Sequence, residues 1–259
     1  MEVDPLLCAR CGSEAIALAH MGREEEALAA IDKTIQASPQ REYGYRNRAW
    51  LLFLIGRLDE ALAAIDKAVE VEPGTYLPYR TRAAFLAYKP GSCARSETDL
   101  RKAMELEGSS AQAQLDVTGS RLADFAFACP EAVQPGPSLK LAQELVSGFP
   151  GVWSTHSILG LALYHNGRFE EARAALAKTL TFADIGDYDP LTRFWLAMTE
   201  AKLGRKADSR KDYARAVERM NGTWPKSPAL VRLKAEAEKV LSVRRDAQAN
   251  GEQPGTRGL

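Results

Sequence analysis

Seven side chains in this sequence are of the types that bind metals, carry redox chemistry or move protons near neutral pH: cysteines 8, 11, 93 and 129, and histidines 20, 156 and 165. Cys8 and Cys11 form a C-x-x-C, the half-site spacing of zinc and thiol-redox motifs, but no second C-x-x-C or H-x-H pair follows at metal-site spacing. The cysteines therefore read as small apolar residues filling helix contacts. His156 and His165 have no acid placed as in H-E-x-x-H, and His20 is remote from both, so the histidines read as solvated. No G-x-S-x-G elbow, phosphate-binding loop or dinucleotide fingerprint occurs. The expectation is a non-enzymatic chain with no cofactor and no metal.

The chemistry that remains is recognition. Arg46 and Arg80 each carry a planar fork of donors suited to carboxylates. Trp50 lies four residues after Arg46, on the same side of a helix. Which elements carry these side chains follows from a repeat. "GREEEALAAIDKTIQASP", residues 22–39, returns as "GRLDEALAAIDKAVEVEP", residues 56–73, with eleven of eighteen positions identical at a spacing of 34 residues. A fixed period of that size predicts a stacked array of supersecondary units.

The unit reads as a helical hairpin. Tyr45, Ala49 and Leu52 make one apolar stripe. Gly56 then stands where a helix leaves through a left-handed residue, and Asp59 and Glu60 favour the positive end of the next helix dipole. Ala61, Leu62, Ile65, Ala68 and Val69 form the second stripe, which Pro73 terminates. One hairpin cannot bury both faces, so several must stack.

The pattern Tyr45, Ala49, Leu52, Gly56, Ala61, Ile65, Ala68 and Pro73 resembles the tetratricopeptide repeat, and Ala15, Leu18, Gly22, Ala27, Ile31 and Pro39 repeat it upstream. A third unit starts at "YLPYRTRAAFLAYKPG", with Pro90 in the glycine's place and a stretched turn expected. The pattern returns through Leu159, Gly160, Leu163, Gly167, Phe169, Ala172 and Leu176, and again through Leu196, Ala197, Gly204, Ser209, Tyr213 and Ala216. The resemblance implies an all-α, right-handed superhelix of about six helical hairpins plus a C-terminal capping helix. Its divisions are three units over 1–110, an irregular unit over 111–150 with a proline-rich turn, two units over 151–222, the capping helix over 223–246 and a disordered tail over 247–259. The irregular unit is expected to have a first helix ending at Cys129 and a second over 138–146. Its long turn reads as a surface insertion or a binding loop. The span from "FACP" to "FWLAMTEAKLG" also resembles repeat arrays of bacterial proteins in which a kinase or WD-repeat domain precedes the repeats, although no kinase motif is present.

By the same resemblance, the face carrying Tyr43, Arg46, Asn47, Trp50, Arg80 and Thr81 lines the inside of the superhelix and forms a peptide-binding groove. The implied partner is a protein or peptide with acidic groups opposite Arg46 and Arg80, and the implied function is an adaptor or scaffold. A regulatory array that docks on another domain or on itself is the alternative, with an RNA-binding repeat third. Thirty-four basic residues balance thirty-four acidic ones, which argues against nucleic acid. The start of the chain has no secretion-signal pattern and no stretch of about 18 apolar residues occurs, so no membrane partner and a cytoplasmic location are expected.

Overall fold

The computed structural model describes residues 14–107, 129, 135–183 and 185–249. Among these residues the regular structure is helical: α1 over 14–20, α2 Glu24–Ala37, α3 Glu42–Leu54, α4 Leu58–Val71, α5 Tyr76–Ala87, α6 Cys93–Leu106, α7 Pro135–Gly148, α8 Trp153–His165, α9 Phe169–Thr179, α10 Asp189–Lys202, α11 Lys206–Gly222 and α12 Pro228–Ala249. A short 3₁₀ turn, Gly186–Tyr188, precedes α10. Antiparallel pairs stack in order into a right-handed superhelix, and α12 packs on α10 at its end. The first helix expected in the irregular unit lies outside the described residues, whereas its second is α7 and begins before Ser138. Helix α12 continues to Ala249, three residues into the segment expected as a tail; residues 250–259 lie outside the described ones.

Four turns are built alike. Gly22, Gly56, Gly167 and Gly204 have φ values between 73° and 86°. The residue after each glycine donates its backbone N–H back into the preceding helix: Arg23 to Leu18, Arg57 to Leu52, Arg168 to Leu163 and Arg205 to Glu200, at 2.8 to 3.0 Å. The glycine itself bonds the carbonyl three residues back. This double closure satisfies helix-end carbonyls and needs a left-handed residue, which glycine supplies without a Cβ penalty. In the third hairpin the left-handed residue is Gly91, and the connection runs over 88–92 instead of the three residues of 55–57. The stretched turn is thus present.

Within hairpins, small side chains permit close approach. Ala49 and Ala61 are fully buried, and a Cβ added at Gly160 would lie 2.6 Å from Leu176 Cγ. Charged groups also recur with the period. Arg48 bonds Asp32 at 2.9 Å, and 34 residues later Arg82 bonds Asp66 at 2.8 Å. Arg82 reaches Asp99 as well, at 2.7 and 2.8 Å, tying α4, α5 and α6 together.

The stack returns on itself. Lys226, in the connection before α12, pairs with Glu24 of α2 at 3.0 Å across 202 residues of sequence. His20 lies 4.4 Å from the Trp224 ring and 3.6 Å from Asp187, and Trp224 Nε1–H donates to Asp187 at 2.8 Å. One continuous apolar core therefore holds Ala15, Leu28 and Leu52 together with Trp224, Leu230 and Leu233. The first hairpin and the last connection form a clasp.

Gly56 sits at this clasp, and a Cβ there would come within 2.7 Å of the Lys226 carbonyl oxygen. Gly22 has the same left-handed backbone but open space around it. Alanine at either position costs about 1–2 kcal/mol for the backbone conformation. Gly56→Ala must also displace backbone, adding at least about 1 kcal/mol in line with overpacking. Urea unfolding of the two variants measures the difference, and equal losses would show that the ends do not meet.

Candidate binding site

The first helix of each described hairpin turns its face inward, and together with α12 these faces line a cavity of about 640 Å³. That volume lies in the range of ligand sites. The repeat period maps directly onto its wall. Ile16, Trp50 and Ala84 follow one another at 34 residues, and Leu161 stands six residues before Gly167 as Trp50 stands six before Gly56; all four line the cavity. Asn47, Ile158 and Trp195 each stand nine residues before a turn glycine and line it too.

All four tryptophans of the chain converge here: Trp50, Trp153, Trp195 and Trp224. Each is fixed by an aromatic neighbour. Trp50 meets Phe85 edge-on at 5.0 Å, Trp153 meets Tyr188 at 4.8 Å, Trp195 meets Tyr164 at 5.2 Å and Trp224 meets His20 at 4.4 Å. These separations are those of favourable ring pairs. Burial beside Trp195, with a smaller contribution from Glu236, pushes the Tyr164 phenol up to about 12, as expected for a packed ring. A few polar groups interrupt the apolar wall, chiefly Asn47, Arg80, Ser157 and Asp187.

The structure divides the six residues expected in the groove. Asn47, Trp50 and Arg80 line the cavity. Arg46 does not; its Nε donates to Glu42 at 2.8 Å, within its own helix. Thr81 is completely buried, and its hydroxyl has no hydrogen-bond partner among the described residues. Tyr43 is half-buried outside the lining. Sequence reasoning missed Trp153, Trp195, Trp224, Tyr188 and Asp187. Trp195 was within reach through its distance from Gly204, whereas Trp153, Tyr188 and Trp224 sit at helix starts and connections where the period says nothing.

The cysteines need correction. Cys93 and Cys129 are joined in a disulfide, with Cys129 fully buried, so this pair is a covalent staple and not two small fillers. Cys8 and Cys11 lie outside the described residues. Among the described residues no group of three or more His, Cys, Asp or Glu side chains is placed to hold a metal. The histidines make separate contacts: His20 at the clasp, His156 with the Pro150 carbonyl at 2.9 Å, and His165 beside Trp195 at 5.5 Å. No helix among them is long and apolar enough to cross a membrane.

Fold and cavity define a helical-repeat protein with a cavity on the inside of its stack. The tetratricopeptide repeat model matches residues 13–75 and 138–190, so these segments carry tetratricopeptide repeats. Its fold is shared with a tetratricopeptide repeat protein from Parabacteroides merdae, at a TM-score of 0.63 and 16% identity over 94% of this chain and 86% of that one. The Cut9–Hcn1 hetero-tetramer of the APC/C aligns at a TM-score of 0.59 and 16% identity, over 87% of this chain and 42% of that one. The type IV pilus biogenesis factor PilW aligns at 0.55 and 14% identity, over 89% and 99%. No curated protein matches the chain. The likeness to kinase-linked or WD-repeat-linked arrays finds no support in these matches. What the family supports is a repeat scaffold for protein–protein interaction.

Proposed function

We propose that this chain is a non-enzymatic adaptor that holds a segment of a partner protein against the inside of its superhelix, with Asn47, Trp50 and Arg80 in contact. The observation that carries this reading is the convergence of all four tryptophans on one cavity, although they stand in four different parts of the sequence. Trp50 and Trp153 are only half-buried there, whereas Trp195 and Trp224 are buried in the wall. Rigid aromatic anchors are the side chains from which protein interfaces draw much of their energy.

The two arginines then have different duties. Arg80 lines the cavity and is the arginine assigned to a carboxylate of the partner; Arg46, bonded to Glu42, stands outside the lining. For the compartment, the Cys93–Cys129 bridge favours an oxidising environment over the cytoplasm.

The test is selection of peptides on the purified chain from a displayed library, followed by affinity measurement for the best binder. Arg80→Ala weakens it by about ten- to a hundredfold, the worth of a hydrogen bond to a charged group, with a smaller loss at high salt. Trp50→Ala weakens it by about tenfold without altering the salt dependence. Arg46→Ala stays within about threefold, because Arg46 stands outside the cavity lining and bonds Glu42 on its own helix. Selected peptides that bind equally well to the Trp50→Ala and Arg80→Ala variants would overturn the assignment.

A further inference from the structure

One hairpin departs from the others at a core position. Four residues before the turn glycines stand Leu18, Leu52, Leu163 and Glu200, and the backbone carbonyl of each accepts the N–H that closes its turn. The three leucines belong to the apolar packing, with Leu52 0% and Leu163 3% exposed. Glu200, on α10, is as withdrawn from water at 4%. The sixth hairpin therefore holds a carboxyl where the period supplies a core leucine.

A buried carboxylate needs close partners, and those of Glu200 are loose. Arg205 Nε lies 3.7 Å from its Oε2 and Arg173 Nη1 lies 3.9 Å from its Oε1, both beyond hydrogen-bond length. Oε2 has no hydrogen-bond partner among the described residues. Both arginines are shared with Glu170 of α9, to which Arg205 donates at 3.1 and 3.2 Å and from which Arg173 lies 3.5 Å. Burial first of all pushes the Glu200 carboxyl above its ordinary range. Arg173 and Arg205 offset this only in part, and the like charges of Asp208 and Asp212 on α11 add to it.

We infer that Glu200 is a pH-sensitive latch in the joint between the fifth and sixth hairpins, loosening the packing of α9, α10 and α11 when charged and tightening it on taking up a proton. The protonated acid needs no arginine. Arg173 and Arg205, each 37% exposed, keep Glu170 and water as partners. Helix α10 also carries Leu191, Thr192 and Trp195 in the cavity wall, so the joint that the proton tightens is one side of the cavity.

Linkage gives the sign. A carboxyl raised in the folded state contributes stability that is fully present below its unfolded value and is lost as pH rises through the folded one. Charged Glu200 therefore costs stability at pH 8, and the cost shrinks toward pH 5.

Urea unfolding of the wild type, Glu200→Gln and Glu200→Leu between pH 5 and pH 8 is the test. At pH 8, Glu200→Gln keeps the shape without the charge and should lower the unfolding constant by about tenfold, the effect of relieving one buried unpaired acceptor. Its advantage over the wild type should shrink steadily toward pH 5. Glu200→Leu restores the residue of the other hairpins and should be at least as stable as Glu200→Gln. His165, on α8 beside Trp195, titrates in all three proteins and cancels in the differences. Amide hydrogen exchange at pH 7.5 should be slower in Glu200→Gln over residues 169–222 and unchanged over 24–71. A Glu200→Gln protein that does not fold, that gains nothing at pH 8, whose advantage does not shrink in acid, or whose exchange slows equally in both segments overturns the inference.

Discussion

Arg82→Ala should lower the free energy of unfolding by about 3 kcal/mol, the lower end of the range for breaking a buried ion pair from one side. Arg82 is 18% exposed and Asp99 only 9%, so the pair is mostly withdrawn from water. The geometry is bidentate, Nε and one terminal nitrogen of Arg82 meeting both Asp99 oxygens at 2.7 and 2.8 Å, and the other terminal nitrogen reaches Asp66 at 2.8 Å. Hydrogen bonding to Asp99, and then the charges of both carboxylates, hold the guanidinium well above its ordinary range, so it stays charged at any pH at which the protein folds. Removing it strands the Asp99 carboxylate under the α5–α6 packing, while Asp66, 48% exposed, keeps its water. The loss should therefore come mainly from Asp99. An Arg82→Met, Asp99→Leu double variant removes both charges and should recover most of the stability, since a well-packed apolar pair replaces a buried ion pair at little cost. Chemical denaturation of the three proteins decides it. A double variant as unstable as Arg82→Ala would show that packing, not the stranded charge, is responsible.

How much of this was legible in the sequence differs by level. The hairpins were, because Gly22, Gly56, Gly167 and Gly204 mark every regular turn and the apolar stripes flank them. The closure of the stack was not. The pairing of Lys226 with Glu24 spans 202 residues, and whether two ends meet depends on small rotations accumulated over every unit, which nearest-neighbour patterns do not specify. Hence a concave groove was expected, but not the contact between the two ends.

The site residues illustrate the same limit at shorter range. Arg46 and Arg80 are equivalent by period, yet the residue four positions before Arg46 is Glu42 and the one before Arg80 is Tyr76. An acid at that spacing captures an arginine on its own helix. That difference was readable, and it accounts for the contact of Arg46 with Glu42. Thr81 shows what was not readable: in α5 it is Arg80 that lines the cavity and Thr81 that is buried, a slip of one position relative to Asn47 in α3.

Reducing the Cys93–Cys129 disulfide should cost about 4 kcal/mol, the loop-closure entropy that the chain-entropy model assigns to a cross-link of this span. The two cysteines are 36 residues apart, and spacing alone could not pair them, since four cysteines allow several connectivities. The bridge joins the first residue of α6 to the far side of the segment where the repeat period breaks down. Regular hairpins are held in register by their neighbours on both sides, which is how repeat arrays distribute stability. Cys129 instead packs with Ala83, Ala87 and Leu100 in a small cluster separate from the main core. The covalent link ties Cys129 to the start of α6, against α5. Urea unfolding with and without dithiothreitol should separate the wild type by the stated amount, and Cys129→Ser should unfold near the reduced wild type and lose most of its response to the reductant. A wild type indifferent to dithiothreitol, or a Cys129→Ser variant as stable as the oxidised protein, would show that the bridge does not form or does not stabilise the fold.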